Sequence, residues 1–196
     1  DSAEEIVVGS GHGNRPRIIV YDYLKQQQEV FKLTYDTKAV YGVDVAVGDI
    51  DGDGVNEIVA AYKTPTAPKV SVWSRVHDTP GLDFRKSKEF NGFSSNTNPR
   101  VAAGDVDGDG KDEIIVSRGR GSTPEVRVFS GEGELTKASA VVAEDFRGGL
   151  DVASADVTGT NNDEIIVSPL TDGSSFIRIF DSDFNRLSSF YSYGKS

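Results

Sequence analysis

The sequence predicts an all-β chain assembled from about four copies of one four-stranded antiparallel unit, and three observations carry that reading. The first is an acidic run, "DIDGDGVNEIV" at 49–59, which returns as "DVDGDGKDEII" at 105–115 and, altered, as "DVTGTNNDEII" at 156–166. The second is phase. Glu5, Glu57, Glu113 and Glu164 each open an apolar run and lie 52, 56 and 51 residues apart. Pro16, Pro68, Pro124 and Ser175 keep the same offsets ahead of "RIIVYD", "KVSVWS", "EVRVFS" and "FIRIFD". The third is the short, alternating or continuous character of the apolar runs, with no helical period anywhere. A period near fifty, four strands per unit and turn residues at each junction are the pattern of a β-propeller blade.

Taken in order, the repeats run over about 1–42, 43–99, 100–149 and 150–196. The third shows every element. "RVAAGD" is a first strand, followed by the acidic loop and by "EIIVSRG", whose nearly continuous apolar run suits a strand covered on both faces. A Gly/Ser/Thr/Pro connection leads to "EVRVFSG", where Val126 and Val128 alternate with Arg127. A turn at "GEGE" then leads to a last strand in "TKASAVVAEDF". The first copy starts at its second strand, "EEIVVGSG", and the fourth ends at "SFYSYGKS". Fifteen strands are expected, three in the first unit and twelve in the others, in an open or partial propeller that reads as a piece of a longer array. Its free strand edge invites self-association. Tyr21, Trp73, Phe129 and Phe180 share one phase. They are expected to pack between neighbouring blades, with sugar stacking as the competing reading.

Composition narrows the function. The 196 residues carry a formal charge of -10, which argues against nucleic acid as a partner and in favour of cations. No apolar run is long enough for a membrane-spanning helix. Cysteine is absent, removing disulfides, thiol chemistry and Cys-containing zinc sites, and only His12 and His77 offer imidazole. The chain opens on Asp1 and contains no Met, as a mature product or a segment would. No catalytic set emerges, so the expectation is a binding module and not an enzyme.

The acidic loops carry the chemistry. Counted from the first Asp, carboxylates fall at positions 1, 3, 5 and 9, with Gly at 6 to permit the turn and a carbonyl at 7. The predicted ligands are Asp49, Asp51, Asp53, the carbonyl of Val55 and Glu57 in one loop. In the other they are Asp105, Asp107, Asp109, the carbonyl of Lys111 and Glu113. Carboxylates crowded this way repel one another without a cation, and six or seven oxygens on a flexible loop suit Ca2+ better than Mg2+. An EF-hand would need Glu at position 12, where Ala60 and Val116 stand. In the fourth copy Asp156 and Glu164 remain, but Thr158, Thr160 and Asn162 occupy positions 3, 5 and 7. This third site is expected to be weak or lost, its turn held by side-chain hydrogen bonds.

"VAVGDIDGDGVNEIV", "VAAGDVDGDGKDEIIV" and the spacing of "GRGSTPEVRVF" resemble FG-GAP repeats, seen also as bacterial VCBS-type repeats and in the head of integrin α subunits. The resemblance implies a calcium-loaded propeller, secreted or at the cell surface, that serves adhesion. The alternative it implies is the propeller domain of a secreted carbohydrate-active protein, a lectin or polysaccharide lyase.

Strand alternation puts the acidic loops at one end of the blades and a protein or glycan ligand at the other. The ligand loops are then 11–15, 64–67, 118–123 and 171–175, with Asn96 and Asn98 beside them. His12, Asn14, Arg15, Arg118 and Arg120 are candidate contacts, weighed against ordinary solvated side chains; Arg147 belongs to the same scattered basic set. "LDV" at 150–152 matches a short adhesion tripeptide but reads as a buried strand.

Overall fold

The computed structural model describes residues 5–32, 41–76, 83–95, 97–171 and 175–192. Fifteen strands and no helix occur among them, in four antiparallel sheets. The first sheet holds β1 (Ile6–Gly9), β2 (Arg17–Asp22) and β3 (Gln27–Lys32). The second holds β4 (Val43–Gly48), β5 (Glu57–Tyr62), β6 (Lys69–Arg75) and β7 (Phe84–Asn91). β8 (Arg100–Gly104), β9 (Glu113–Ser117), β10 (Glu125–Phe129) and β11 (Leu135–Ala140) make the third. β12 (Leu150–Ala155), β13 (Glu164–Pro169), β14 (Phe176–Phe180) and β15 (Arg186–Tyr191) make the fourth. Each sheet is a meander in chain order, as short turns between neighbouring antiparallel strands dictate. The architecture is that of an open, partial propeller.

The core lies between sheets and not within them. Successive residues of a strand face opposite sides, so each blade offers one apolar set to the blade before it and another to the blade after. Ile58, Ala60 and Tyr62 of β5 meet Ile18 and Val20 of β2. Val59 and Ala61, the residues between them, meet Val101, Ile114 and Val116 of the third sheet. The third and fourth sheets repeat the arrangement, with Ile115, Val126 and Val128 against Ile165 and Val167. β5 and β9 are therefore buried along their whole length, as their continuous apolar runs require. Each fully buried Ile, Val or Phe contributes about 1.5–3 kcal/mol relative to exposure.

Phe129 and Phe180 are buried in these inter-blade cores and Trp73 packs against one, as their shared phase predicts. A register shift falls immediately before each of the three, a bulge repeated at one position of three blades. Tyr21, at the same phase in the first sheet, is only half-buried. In "LDV" only Leu150 is buried. Alternation turns Asp151 outward, which corrects the reading of that tripeptide as covered throughout.

Candidate metal centre

Each acidic loop leaves an inner strand (β4, β8 or β12) and enters the next strand at the acid of position 9. The Asp at position 1 organises the turn. Asp49 Oδ1 accepts hydrogen bonds from Gly52 N at 2.9 Å and Asp53 N at 3.1 Å, and its Oδ2 accepts one from Gly54 N at 2.9 Å. Asp105 repeats this with Gly108, Asp109 and Gly110 at 2.7, 3.1 and 2.9 Å. Positions 3 and 5 each lend one oxygen to the turn. Asp51 Oδ1 accepts from Asp53 N, Asp53 Oδ1 from Val55 N, and Asp107 and Asp109 do the same in the other loop. A carboxylate has about four acceptor sites, so oxygen donors remain on every side chain. Gly54 and Gly110 adopt φ of 85° and 87°, the left-handed conformation expected at position 6.

The carboxylates converge. Oxygens of Asp49, Asp51 and Asp53 lie within 4.8 Å of one another, and so do those of Asp105, Asp107 and Glu113. Position 5 joins the cluster in the first loop and position 9 in the second, so each loop brings three of its four predicted carboxylates together, without Glu57 in the one and Asp109 in the other. The buried acids at position 9 feel the crowding most. Burial, with the Asp51 charge next, pushes Glu57 up to about 7 despite the hydrogen bond donated by Ile50 N. Burial and then Asp107 do the same to Glu113, again to about 7 and against a bond from Val106 N. A set of hard oxygens with too much negative charge fits a divalent cation such as Ca2+, which Asp49, Asp51, Asp53 and Glu57, or Asp105, Asp107, Asp109 and Glu113, would hold. The position-7 residues Val55 and Lys111 follow the glycine, their N–H groups turned to Asp53 and Asp109.

The fourth loop keeps the frame and meets its two acids with its own hydrogen-bond donors. Burial pushes the Asp156 carboxyl up, but the N–H groups of Asn161, Gly159, Thr160 and Thr158 outweigh it and hold the group below its usual range. Glu164 accepts from Val157 N at 2.9 Å, Thr158 N at 3.1 Å and the Thr158 hydroxyl at 2.8 Å. The Thr158 and Thr160 hydroxyls bond each other at 3.0 Å. Asn161, replacing glycine at position 6, takes φ of 66°, a conformation Asn tolerates better than most residues.

Sequence reasoning missed what joins the loops. Asp112, at position 8, donates its N–H to Asp49 O at 2.8 Å and accepts from Asp49 N at 2.9 Å through Oδ2, so one loop grips the first ligand of the other. Asp163 N repeats the bond to Asp105 O at 2.8 Å, its carboxylate accepting from Ser154 Oγ. Position 7 interlocks as well: a Cβ on Gly52 would lie 3.0 Å from Lys111 Cγ, and one on Gly108 equally close to Asn162 Cγ. The signal was the repeated polar residue at position 8, Asn56, Asp112 and Asp163. Burial, followed by Asp163, Asp49 and Asp105, raises the Asp112 carboxyl.

At the other end of the blades the structure brings His12, Tyr41, Asp44, Asn98 and Arg100 around a cavity of about 90 Å³. Arg100 pairs with Asp44 at 3.1 Å, and Asp44 also accepts from Val101 N. Asn14 and Arg15 are exposed nearby, with Asn14 Nδ2 donating to Gly11 O. Arg118 is engaged elsewhere: it pairs with Glu125 at 2.9 Å, bonds Ser95 and stacks on Phe93, which Arg127 also covers. Arg120 is exposed on the same surface, and Arg147 donates to Phe146 O. Thr64 is buried and holds its loop through Ala67 O and N. His77, Asn96 and residues 172–174 lie outside the described residues.

Comparison with known proteins agrees with this architecture. A crystal structure of a protein of unknown function from Bacteroides caccae superposes with a TM-score of 0.53 at 13% identity. The match covers 97% of this chain but 58% of that one, so the present chain spans little more than half its length. No curated protein matches the sequence. Residues 105–167, from the first ligand of the second intact loop to the heart of β13, match the family model of the FG-GAP-like repeat, the family that the motifs resemble.

Proposed function

We propose that the chain is a calcium-stabilised propeller module of the extracellular space or cell surface, working by adhesion, ligand binding or structural display and not by catalysis. The observation that carries this reading is the pair of converging carboxylate clusters, one of which includes the buried Glu113. In both loops burial and neighbouring carboxylates oppose ionisation of the position-9 Glu, an opposition that a cation would relieve. Loops of this type in extracellular modules bind calcium at about 0.1–1 mM, a level met outside cells. The polar cavity around His12, Asn98 and Arg100 lies at the blade ends away from the ion loops, and there the module would meet a protein or glycan partner. Calcium titration followed by calorimetry tests the reading. Two sites of similar affinity and a higher melting temperature are expected; heat exchange at neither loop refutes it.

A further inference from the structure

The two intact acidic loops hold four Asp–Gly pairs, Asp51–Gly52, Asp53–Gly54, Asp107–Gly108 and Asp109–Gly110, whereas the loop at 156–164 holds none. A bond of this type is open to attack by its own amide, because a glycine nitrogen has no adjacent side chain to shield it. All eight residues are exposed to water. The turns bring the reacting atoms together. Asp51 Oδ1 accepts from Asp53 N at 3.2 Å and Asp53 Oδ1 from Val55 N at 2.8 Å, so each carboxyl carbon is folded forward over the glycine nitrogen that lies between. Asp107 and Asp109 do the same toward Asp109 N and Lys111 N, at 3.2 and 2.9 Å. Each glycine N–H is meanwhile held by the Asp at position 1: Gly52 and Gly54 by Asp49, Gly108 and Gly110 by Asp105. The comparable Asn91–Gly92 pair has its glycine N–H on a main-chain carbonyl, Pro68 O, at 3.0 Å. In the acidic loops the restraint is a side chain, which one substitution removes.

We propose that Asp51, Asp53, Asp107 and Asp109 are latent sites of isoaspartate formation, kept closed by the side chains of Asp49 and Asp105. The glycine nitrogen attacks Cγ of the preceding Asp; as the N–Cγ bond forms, the carboxyl hydroxyl leaves with the amide proton as water, and a five-membered succinimide results. Water then adds to the main-chain carbonyl of the ring and breaks its bond to the glycine nitrogen. The chain now runs through Cγ, the former main-chain carbonyl is the free carboxylate, and nothing has been oxidised or reduced. One methylene has entered the main chain, so the turn to the residue two ahead is lost. At Asp51, Asp53 and Asp107 a carboxylate of a converging cluster is displaced with it. The attack requires the glycine peptide plane to turn toward Cγ. Asp49 and Asp105 oppose that turning, because each holds one glycine N–H on Oδ1 and the other on Oδ2.

The test ages the intact chain in chelator at neutral pH, so that its outcome does not depend on ion binding, and locates isoaspartate by mapping tryptic peptides. Asp49→Ala should raise the rate at 51–54 by at least about tenfold, the factor that one lost hydrogen bond to a charged group gives, and leave 107–110 of the same molecule unchanged. Asp105→Ala should do the reverse. Asp49→Asn keeps the shape of the side chain and one of its oxygens. That oxygen retains the acceptor position shared by Gly52 and Asp53, so Asp53–Gly54 should react ahead of Asp51–Gly52. This order separates release of the cap from unfolding, which would free all four pairs together. Equal rates in the two loops of both Asp49 variants would overturn the proposal. So would a slower reaction in Asp49→Ala, which would make Asp49 the base that takes the amide proton and not the restraint on it.

Discussion

The loops at 49–57 and 105–113 and the loop at 156–164 share a frame and differ in how they deal with charge. In all three the first Asp caps the same three N–H groups, at distances that agree within 0.3 Å. The difference lies at positions 3 and 5. Carboxylates there leave Glu57 and Glu113 facing like charge, whereas Thr158 donates to Glu164 and makes the fourth loop complete in itself. Turn geometry and charge crowding are therefore separable: the Asp at position 1 sets the first, and two side chains set the second.

The largest effect that can break this comparison is calcium itself. Binding only to the folded form at a hundredfold excess over Kd stabilises by about 2.7 kcal/mol per site, against a typical total of about 5–15 kcal/mol. Chelation should lower the melting temperature substantially, and Asp51→Ala and Asp107→Ala should each remove about half of that response if the sites contribute equally. Calorimetry that shows no dependence on chelator would end the distinction between the loops. The pH dependence sharpens it. Glu57 and Glu113 are raised from 4.5 to about 7 in the fold. Their protonated forms thus favour the native state, fully so below about pH 4.5, and this contribution is lost as pH climbs through about 7. In chelator, stability should fall over that window; with calcium, the stabilisation by the ion should grow over it, with protons released on binding. Thermal melts in both conditions from pH 4 to 8 decide the matter, and a flat chelated profile would contradict the crowding seen here.

The repeat, the strand count and the acidic loops were legible in the sequence because each repeats in phase: an acid before every second strand, a glycine at position 6, an aromatic at one point of the third strand. What was not legible depends on neighbours in space. Asp112 reads as one more acid beside Glu113, yet its partner is the backbone of Asp49, 63 residues away. Arg118 reads as a free basic side chain on a ligand loop, yet Phe93, Ser95 and Glu125 hold it. Asp151 reads as part of a buried strand because its flanks are apolar, yet it faces outward from the last sheet. Periodicity reports the unit; contacts between units have no period to report them.

An intermediate effect tests whether the two intact loops act separately. Asp112→Ala removes the acceptor for Asp49 N and should cost about 1–3 kcal/mol. Because Asp49 belongs to the carboxylate cluster of the neighbouring loop, calcium affinity should fall at 49–57 although the substitution lies in 105–113. Asn56→Ala, at the same position but gripping no other loop among the described residues, should leave both affinities unchanged. Titration of the two variants separates the cases, and independent loops would show equal binding in both.

The smallest effect concerns the fourth loop. Thr158→Val keeps the shape of the side chain but deletes the hydroxyl bonds to Glu164 and Thr160. Glu164 retains the N–H groups of Val157 and Thr158, so the loss is limited to about 1 kcal/mol. That loss should be the same with calcium and with chelator, since the loop satisfies its acid internally. Replacing Thr158 and Thr160 together by Asp should instead reverse the sign of the dependence: less stable than the parent in chelator, because two charges now face Glu164, and more responsive to calcium, because positions 1, 3, 5 and 9 are all acidic again. The position-6 residue need not change for this, since Asn161 already holds the left-handed turn. Melting both variants with and without chelator gives four values. A calcium-dependent loss for Thr158→Val, or no calcium gain for the double Asp variant, would show that positions 3 and 5 are not what separates the two kinds of loop.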